Sequence, residues 1–381
     1  MDTTQPLLPN LISIDWLIIE ERNLWLLSRM MTKSLISIVL DVWAMPHGLQ
    51  QFISSIAPTC PALRKLTIHA SDDLLCDSVS QTFCHLHQLT TLHCGTLDAE
   101  SLDYLSRVPS LEELKFVLQQ DVVFRGELLF HNLQTLDVFA PKILSAVDIV
   151  SRMQNRLTNF SISSRDYAGA SVLAQLFRCL SDSLSHRSLR RLRIADACPP
   201  PHHIFTPFSA LTLRDLHPLL TFNHLTHIFF AVGCGISLDD VAALELAQAW
   251  PNVVQLVLNR DLQNPVPSSM TPVGLVYLLR HCTNLTELIL EVDFSPIEEQ
   301  DVHYHHWTGD ISPQHLLTFH VTFSRIHNVE RVAAFLSDVL PQTVHVEYGW
   351  IHGFPDQREY AEKWAEVSNL LHVDRSGRHT I

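Results

Sequence analysis

Large apolar residues recur along the chain in a fixed short pattern. In each copy an apolar anchor is followed by apolar residues three and five positions later, as at Leu63, Leu66 and Ile68. Alternate side chains of a strand share a face, so the latter two point to one side of a short strand and the anchor lies in the turn before it. The pattern predicts one strand per copy. The anchors are Leu11, Leu35, Leu63, Leu89, Leu111, Leu133, Leu157, Leu189, Leu225, Val253, Leu285 and Leu316, and a weaker last copy contains Val344 and Val346.

Between the strands the chain carries apolar residues at helical spacing. A capping sequence, Ser237 to Asp240, precedes a run that includes Val241, Leu244, Ala247 and Trp250. Parallel strands need a long crossover, usually a helix, and one repeat cannot bury its own apolar face. The sequence therefore predicts an α/β leucine-rich-repeat solenoid, a horseshoe with about twelve or thirteen parallel strands on the concave side and helices outside.

The predicted domain organisation is a single solenoid domain over residues 1–381. Leucine-rich repeats run about 20–29 residues, and the anchors after Leu157 are spaced more widely, which predicts loop insertions. The longest begins at Pro199 and is expected to run to about Leu220. Residues 355–371 predict a C-terminal capping helix, because Tyr360, Trp364, Val367 and Leu371 fall on one helical face.

Charge and composition narrow the class of partner. The chain has 26 basic and 40 acidic residues and a net charge of −14. Affinity for nucleic acid or for an anionic membrane comes from clustered Lys and Arg, so neither is an expected partner. The sequence shows no apolar run of the roughly 18–20 residues that span a bilayer and no secretory signal, and the eight cysteines form no Cys-x-x-Cys pair. These features favour an intracellular protein, cytoplasmic or nuclear.

Candidate chemistry is sparse. The run His303-Tyr304-His305-His306 lies near several acidic residues, but it lacks the cysteines or helical His pair typical of zinc sites, and a solvated acidic loop is the favoured interpretation. Gly233-Cys234-Gly235 has no third glycine and is interpreted as a tight turn after a strand rather than a dinucleotide site. No catalytic motif occurs in the sequence. We expect no catalytic residue, cofactor or metal, and no enzyme.

One stretch carries a family resemblance. Residues 229–240, Phe-Phe-Ala-Val-Gly-Cys-Gly-Ile-Ser-Leu-Asp-Asp, precede Ala247-Gln248-Ala249-Trp250-Pro251, and the turns at Cys60 and Cys282 are similar. This pattern resembles the fungal F-box/leucine-rich-repeat proteins with ribonuclease-inhibitor-like repeats. The resemblance implies a solenoid that recruits substrates to a Skp/cullin ubiquitin ligase. An F-box would precede the repeats, and the first strand is expected too close to Met1 to leave room for one.

The predicted binding site lies on the concave sheet face. Positions four after each anchor should face this surface and are mostly polar, but Phe229, Val257 and Ile289 interrupt them on three consecutive strands. An apolar centre with a polar and arginine rim predicts a protein-binding surface, and the rim consists of Arg191, Arg193, His227, Gln255 and Glu287. Two alternatives would also explain these apolar residues. Aromatic and β-branched residues favour strands, or the insertion that begins at Pro199 folds over them. The predicted function is binding of a protein partner, within or derived from an F-box receptor, or as a free-standing scaffold or inhibitor with no ligase link.

Overall fold

The computed structural model describes residues 7–18, 20–42, 47–70, 83, 85–120, 122–124, 126–197, 210–259, 268–297, 315–349 and 355–377. The chain forms two compact units, one containing Met1–Ser163 with Asp182–Ser185 and the other Ser164–Ser181 with His186–Ile381. Both units are built from parallel strands in chain order, and the predicted α/β leucine-rich-repeat fold is confirmed. The assignment of the whole chain to a single domain stays a prediction.

The first unit contains seven strands, each paired with the next in parallel, so Ile38 of one strand lies beside Leu66 of the next. The strands are β1 (Ser13–Ile18), β2 (Ser37–Val42), β3 (Lys65–Ala70), β4 (Thr91–Leu97), β5 (Glu113–Leu118), β6 (Thr135–Ala140) and β7 (Asn159–Ser164). The helices that connect them are α1 (Glu21–Met30), α2 (Leu49–Thr59), α3 (Ala99–Ser106) and α4 (Ile143–Ser151).

The second unit contains six strands in the same arrangement, which makes thirteen among the described residues, as predicted. The strands are β8 (Arg191–Ala195), β9 (His227–Ala231), β10 (Gln255–Leu258), β11 (Glu287–Ile289), β12 (Thr318–His320) and β13 (His345–Glu347). The helices are α5 (Ala170–Ser183), α6 (Leu213–Leu216), α7 (Asp240–Ala249), α8 (Pro272–His281), α9 (Val329–Val339) and α10 (Pro355–Gly377), with short 3₁₀ segments at His217–Thr221 and Ser295–Ile297.

The core follows the repeat pattern closely. Leu66, Leu114, Leu192 and Leu256 are all 0–1% exposed, as the pattern predicts. In every later copy the anchor and the two inward residues are buried, whereas in the first copy the anchor Leu11 and the inward Trp16 are both half-buried. The interior of the first unit is therefore partly exposed at its β1 end.

Aspartates begin two of the predicted helices. The carboxylate of Asp98 accepts a hydrogen bond from the Ser101 N–H at 2.8 Å, and that of Asp239 accepts one from the Ala242 N–H at 2.7 Å. These bonds satisfy N–H groups that the first turn of a helix leaves unpaired. The predicted inward stripe of α7 is wrong at Val241, whose side chain is 62% exposed. The buried residues of this helix are small apart from one leucine: Ala242, Ala243, Leu246 and Ala247.

Part of the predicted insertion after Pro199 is helical. Residues 198–209 lie outside the described residues, but the chain then forms α6 and a 3₁₀ turn. Thr212 and Asp215 form a capping box at the start of α6, in which the Asp215 carboxylate accepts a hydrogen bond from the Thr212 N–H at 2.9 Å. This segment occupies the helical position of its repeat, so the insertion is shorter than predicted.

A helix is present at the predicted C-terminal position. Trp364 of α10 is buried, its indole N–H donates to the Ser324 carbonyl at 2.9 Å, and its ring packs edge-on to Phe294 with centroids 5.2 Å apart. Val367 and Leu371 of the same helix are also buried. These contacts pack α10 against the residues that follow β11 and β12. Among the described residues, we find no helix with the length and apolarity required to cross a bilayer.

Candidate protein-binding surface

The sheet of the second unit brings all eight predicted site residues together. Parallel register aligns them in two rows that run across β8, β9, β10 and β11. The polar row consists of Arg191, His227, Gln255 and Glu287, and the second row consists of Arg193, Phe229, Val257 and Ile289.

The predicted apolar centre is not an exposed surface. Val257 is 0% exposed and Ile289 is 2% exposed, so both belong to the core, and the prediction of an accessible patch is wrong at these positions. Their inward neighbours Leu256 and Leu288 are buried as well, which shows that β10 and β11 are covered on both faces. Strands buried on both faces carry apolar residues without alternation, and this explains why Leu256, Val257 and Leu258 of β10 are apolar in succession.

The accessible part of the surface lies on β8 and β9. Arg191 and Arg193 are exposed, while His227 and Phe229 are half-buried. The guanidinium carbon of Arg193 lies 4.2 Å from the centroid of the Phe229 ring. Such a contact combines cation–π attraction with stacking of the flat guanidinium, and it restricts the arginine side chain to one side of the sheet.

Neither arginine forms an ion pair with a described residue. The first unit differs, because opposite charges there meet across neighbouring strands: Lys115 lies 3.2 Å from Asp137. The positive charges of Arg191 and Arg193 are therefore uncompensated by the sheet on which they lie.

The acidic residue nearest to Arg193 in sequence is engaged elsewhere. Asp196 accepts a hydrogen bond from the Gly233 N–H at 2.6 Å through Oδ1 and one from the Ala168 N–H at 2.8 Å through Oδ2. Burial raises its pKa to about 6, and the two N–H donors lower it. The Gly233-Cys234-Gly235 segment that it holds is the predicted tight turn, with Gly235 at φ +70° and its N–H bonded to the Val232 carbonyl.

His227 contributes a neutral side chain. Its Nδ1 lies 2.9 Å from the Thr226 hydroxyl. Burial lowers the pKa of the imidazole, and the positive charge of Arg191 lowers it further. The ring is therefore uncharged at neutral pH, and the positive charge of this part of the surface comes from the two arginines.

The far end of the polar row is acidic and internally bonded. Gln255 Nε2 donates to the Glu287 carboxylate at 2.5 Å. Adjacent strands are about 4.8 Å apart, so Glu287, three strands from Arg191, lies about 14 Å away. That distance exceeds the Debye length of about 8 Å at physiological salt. Glu287 therefore does little to neutralise the arginines.

A group of buried polar residues follows the strands of the second unit, and the sequence analysis missed it. Asn259, Glu291 and Thr322 each stand six positions after a repeat anchor and are 2–5% exposed. Asn259 and Thr322 adopt positive φ values of 60° and 48°. Asn259 exchanges two hydrogen bonds of 2.6 Å with the backbone of Ile236. A polar residue at the same place in successive repeats was the available signal.

Glu291 is a buried carboxyl group. Its Oε2 and the Thr322 hydroxyl have no hydrogen-bond partner among the residues that the structure describes. Burial raises the pKa of Glu291 to about 8, the N–H of Ser268 and the charge of Arg325 lower it, and Asp293 raises it. The carboxyl group is therefore largely protonated at neutral pH, which avoids the cost of a buried unpaired charge.

No described group of three or more His, Cys, Asp or Glu residues is arranged to hold a metal ion. The histidine run at 303–306 lies outside the described residues. The five described cysteines are free thiols, and burial raises the pKa of Cys234 and Cys282 to about 12. These two thiols are therefore unreactive core residues.

No protein-family profile matches the chain, and no curated protein is similar to it. Among solved structures, the chain is similar to one titled "Crystal structure of TLR13-ssRNA13 complex", with 14% sequence identity and a TM-score of 0.29. The match covers 84% of this chain and 56% of that chain, so the present chain spans little more than half of its length. A TM-score this low supports no inference, and the fold assignment rests on the strand order and register described above.

Proposed function

We propose that the chain is a protein-binding leucine-rich-repeat module that acts by binding rather than by catalysis, with the β8–β9 surface as its contact site. The observation that carries this proposal is the pair of exposed arginines, Arg191 and Arg193, which form no ion pair with a described residue, together with the stacking of Arg193 on the half-buried Phe229 ring. Arginine and aromatic residues are enriched among the side chains that contribute most to protein interfaces. The surface is carried by a regular sheet, which holds these side chains in fixed positions.

The finer proposal is that this module is the substrate-recognition part of an F-box ubiquitin-ligase receptor or derives from one. Its support is the resemblance in residues 229–252, whose Cys234 is buried and whose Asp239 caps α7. A Skp/cullin ligase would be a partner only through an F-box outside residues 1–381. The purified chain alone is expected not to bind the Skp adaptor, and co-purification in a clean reconstitution would contradict this. A free-standing scaffold or inhibitor with no ligase link is the alternative.

The contact site can be tested by charge reversal. The double variant Arg191→Glu/Arg193→Glu reverses both arginines, and the double variant Arg156→Glu/Arg187→Glu makes the same charge change at two exposed positions away from the β8–β9 surface. Affinity purification from the native source should yield a partner with the wild-type chain and the control variant but not with the first variant. Equal recovery of every partner by both variants would place the contact elsewhere and refute the proposed site.

A further inference from the structure

We propose that the β8–β9 surface recognises an acidic protein segment that presents two Asp or Glu side chains, one to each of Arg191 and Arg193. The inference rests on the proposed function and adds the chemistry of the partner. A chain with 40 acidic and 26 basic residues is negatively charged as a whole, yet these two arginines are exposed and form no ion pair with a described residue. An anionic segment compensates their charge, and the acidic remainder of the chain disfavours binding of that segment elsewhere.

The spacing of Arg191 and Arg193 along β8 matches a partner that presents two carboxylates. Arg191 and Arg193 stand at alternate positions of β8, and their side chains emerge on the same face about 7 Å apart. An extended peptide has the same period, because its alternate side chains also share a face. A segment with acidic residues at alternate positions therefore matches both arginines at once.

The state of Arg193 also favours a carboxylate ligand. Its guanidinium lies over the Phe229 ring, with the carbon 4.2 Å from the ring centroid. A guanidinium engaged through its face keeps the N–H groups at its edge, and these donate in parallel to the two oxygens of a carboxylate. Phe229 thus positions the arginine before the partner arrives, which reduces the entropy lost on binding.

The described groups around the two arginines do not neutralise them, so the arginines can bind the carboxylates of a partner. Both oxygens of Asp196 accept backbone hydrogen bonds, and Glu287 is bonded to Gln255. His227 is close to Arg191 but is neutral, so it adds no positive charge that would favour a polyanion. Val257 and Ile289 are buried and offer no apolar contact, which leaves Phe229 as the aromatic contact of these two rows.

A nucleic acid fits these observations less well than an acidic peptide. Double-stranded DNA carries one negative charge per about 1.7 Å of its axis. Proteins that bind DNA typically neutralise several phosphates with an extended basic surface. The basic part of this surface is two arginines on a single strand, within a chain of net charge −14. Repulsion from the acidic remainder grows with the length of a polyanion, whereas a short segment with two carboxylates avoids most of it.

The test is a binding titration of the full chain with defined probes. A labelled peptide that alternates Glu and Leu is compared with a peptide that alternates Gln and Leu, with a phosphoserine–leucine peptide and with a single-stranded RNA. The Glu peptide should bind most tightly, and binding should weaken as salt rises. The variant Arg191→Glu/Arg193→Glu should lose at least about tenfold in affinity, whereas Arg156→Glu/Arg187→Glu should keep it.

Each result decides the question. Tighter binding of the RNA or the phosphopeptide, equal binding of the Gln peptide, no saturable binding of the Glu peptide, or an equal loss in both variants would overturn the inference. A native partner that depends on Arg191 and Arg193 but is not displaced by the Glu peptide would overturn the acidic assignment and leave the proposed function standing. Saturable, arginine-dependent binding of the Glu peptide with no native partner captured would support the acidic assignment and count against the proposed function.

Discussion

The carboxylate of Asp240, in the first turn of α7, accepts two hydrogen bonds from Thr271, the N-cap of α8 in the next repeat. The Thr271 N–H donates to Oδ1 at 2.7 Å and its hydroxyl donates to Oδ2 at 2.7 Å. Oδ1 also accepts the N–H of Gly274 at 2.9 Å. A carboxylate placed at a helix N-terminus accepts hydrogen bonds from otherwise unpaired N–H groups. Its negative charge also interacts favourably with the positive end of the helix dipole. Asp240 therefore links the helices of two successive repeats.

Replacement of this carboxylate should destabilise the second unit. Asp240→Ala is expected to lower the free energy of unfolding by about 2 kcal/mol, because it leaves two backbone N–H groups and a hydroxyl without their acceptor. Asp239→Ala removes a cap bond within a single helix and should cost less, about 1 kcal/mol. Urea unfolding followed by circular dichroism measures both. A smaller loss for Asp240→Ala than for Asp239→Ala would contradict the linking role.

The close packing of α7 and α8 depends on a glycine. A Cβ atom at Gly274 would lie 2.5 Å from Met270 Cγ, 2.7 Å from Asp240 Oδ1 and 3.1 Å from Ala243 Cβ. Gly274→Ala should therefore cost about 1–3 kcal/mol, although alanine is the better helix former. Gly169→Ala, where no atom lies within 4 Å of the added Cβ, is the matched control and should have little effect. A thermal melt in which Gly274→Ala is as stable as the wild type would show that the two helices can separate at little cost.

Truncation of a repeat leucine tests the register of the pattern. Leu256 is 1% exposed, and Leu256→Ala should cost about 2–5 kcal/mol through lost burial and a residual cavity. The same range is expected for Leu66, Leu114 and Leu192. Val241→Ala removes an exposed apolar side chain and should change stability by less than about 0.5 kcal/mol. Chemical denaturation that shows small losses at all four leucines would mean that the stack is packed differently.

Glu291 should make stability depend on pH between about pH 5 and pH 8. Its folded-state pKa, about 8, lies above the ordinary value of 4.5, so the folded chain holds this proton more tightly than the unfolded chain. The resulting stabilisation is complete at low pH and is lost as the pH rises through about 8. The melting temperature should therefore fall between about pH 5 and pH 8 in the wild type, level off above that, and fall less in Glu291→Gln. Glu245→Gln, at an exposed site of α7, should keep the wild-type slope, and identical slopes in all three proteins would show that Glu291 does not titrate in this range.

The sequence predicts the strands and their inward faces well. Inward-facing positions such as Leu114 and Phe116 are two residues apart and must be apolar because they are buried, so the pattern is visible within one short segment. It also predicts the cap at Asp239, whose hydrogen bond reaches only three residues along the chain, to Ala242. It fails at Val257, because the local pattern of a strand does not record whether its second face is also covered. The bond between Asp240 and Thr271 joins residues 31 apart, and no local pattern marks such a pair.

The exposed end of the first unit bears on how the chain loses its structure. Leu11 and Trp16 occupy core positions of the first repeat but are only half-buried, and among the described strands β1 pairs with β2 alone. A repeat stack is stabilised by apolar contacts between neighbours, so a repeat whose core positions are partly exposed opens at lower free energy than one whose core positions are buried. Local unfolding should begin at β1 and proceed inward. The backbone amides of Ser13–Ile18 will then exchange with solvent deuterium sooner than those of β5, long before the unit unfolds as a whole.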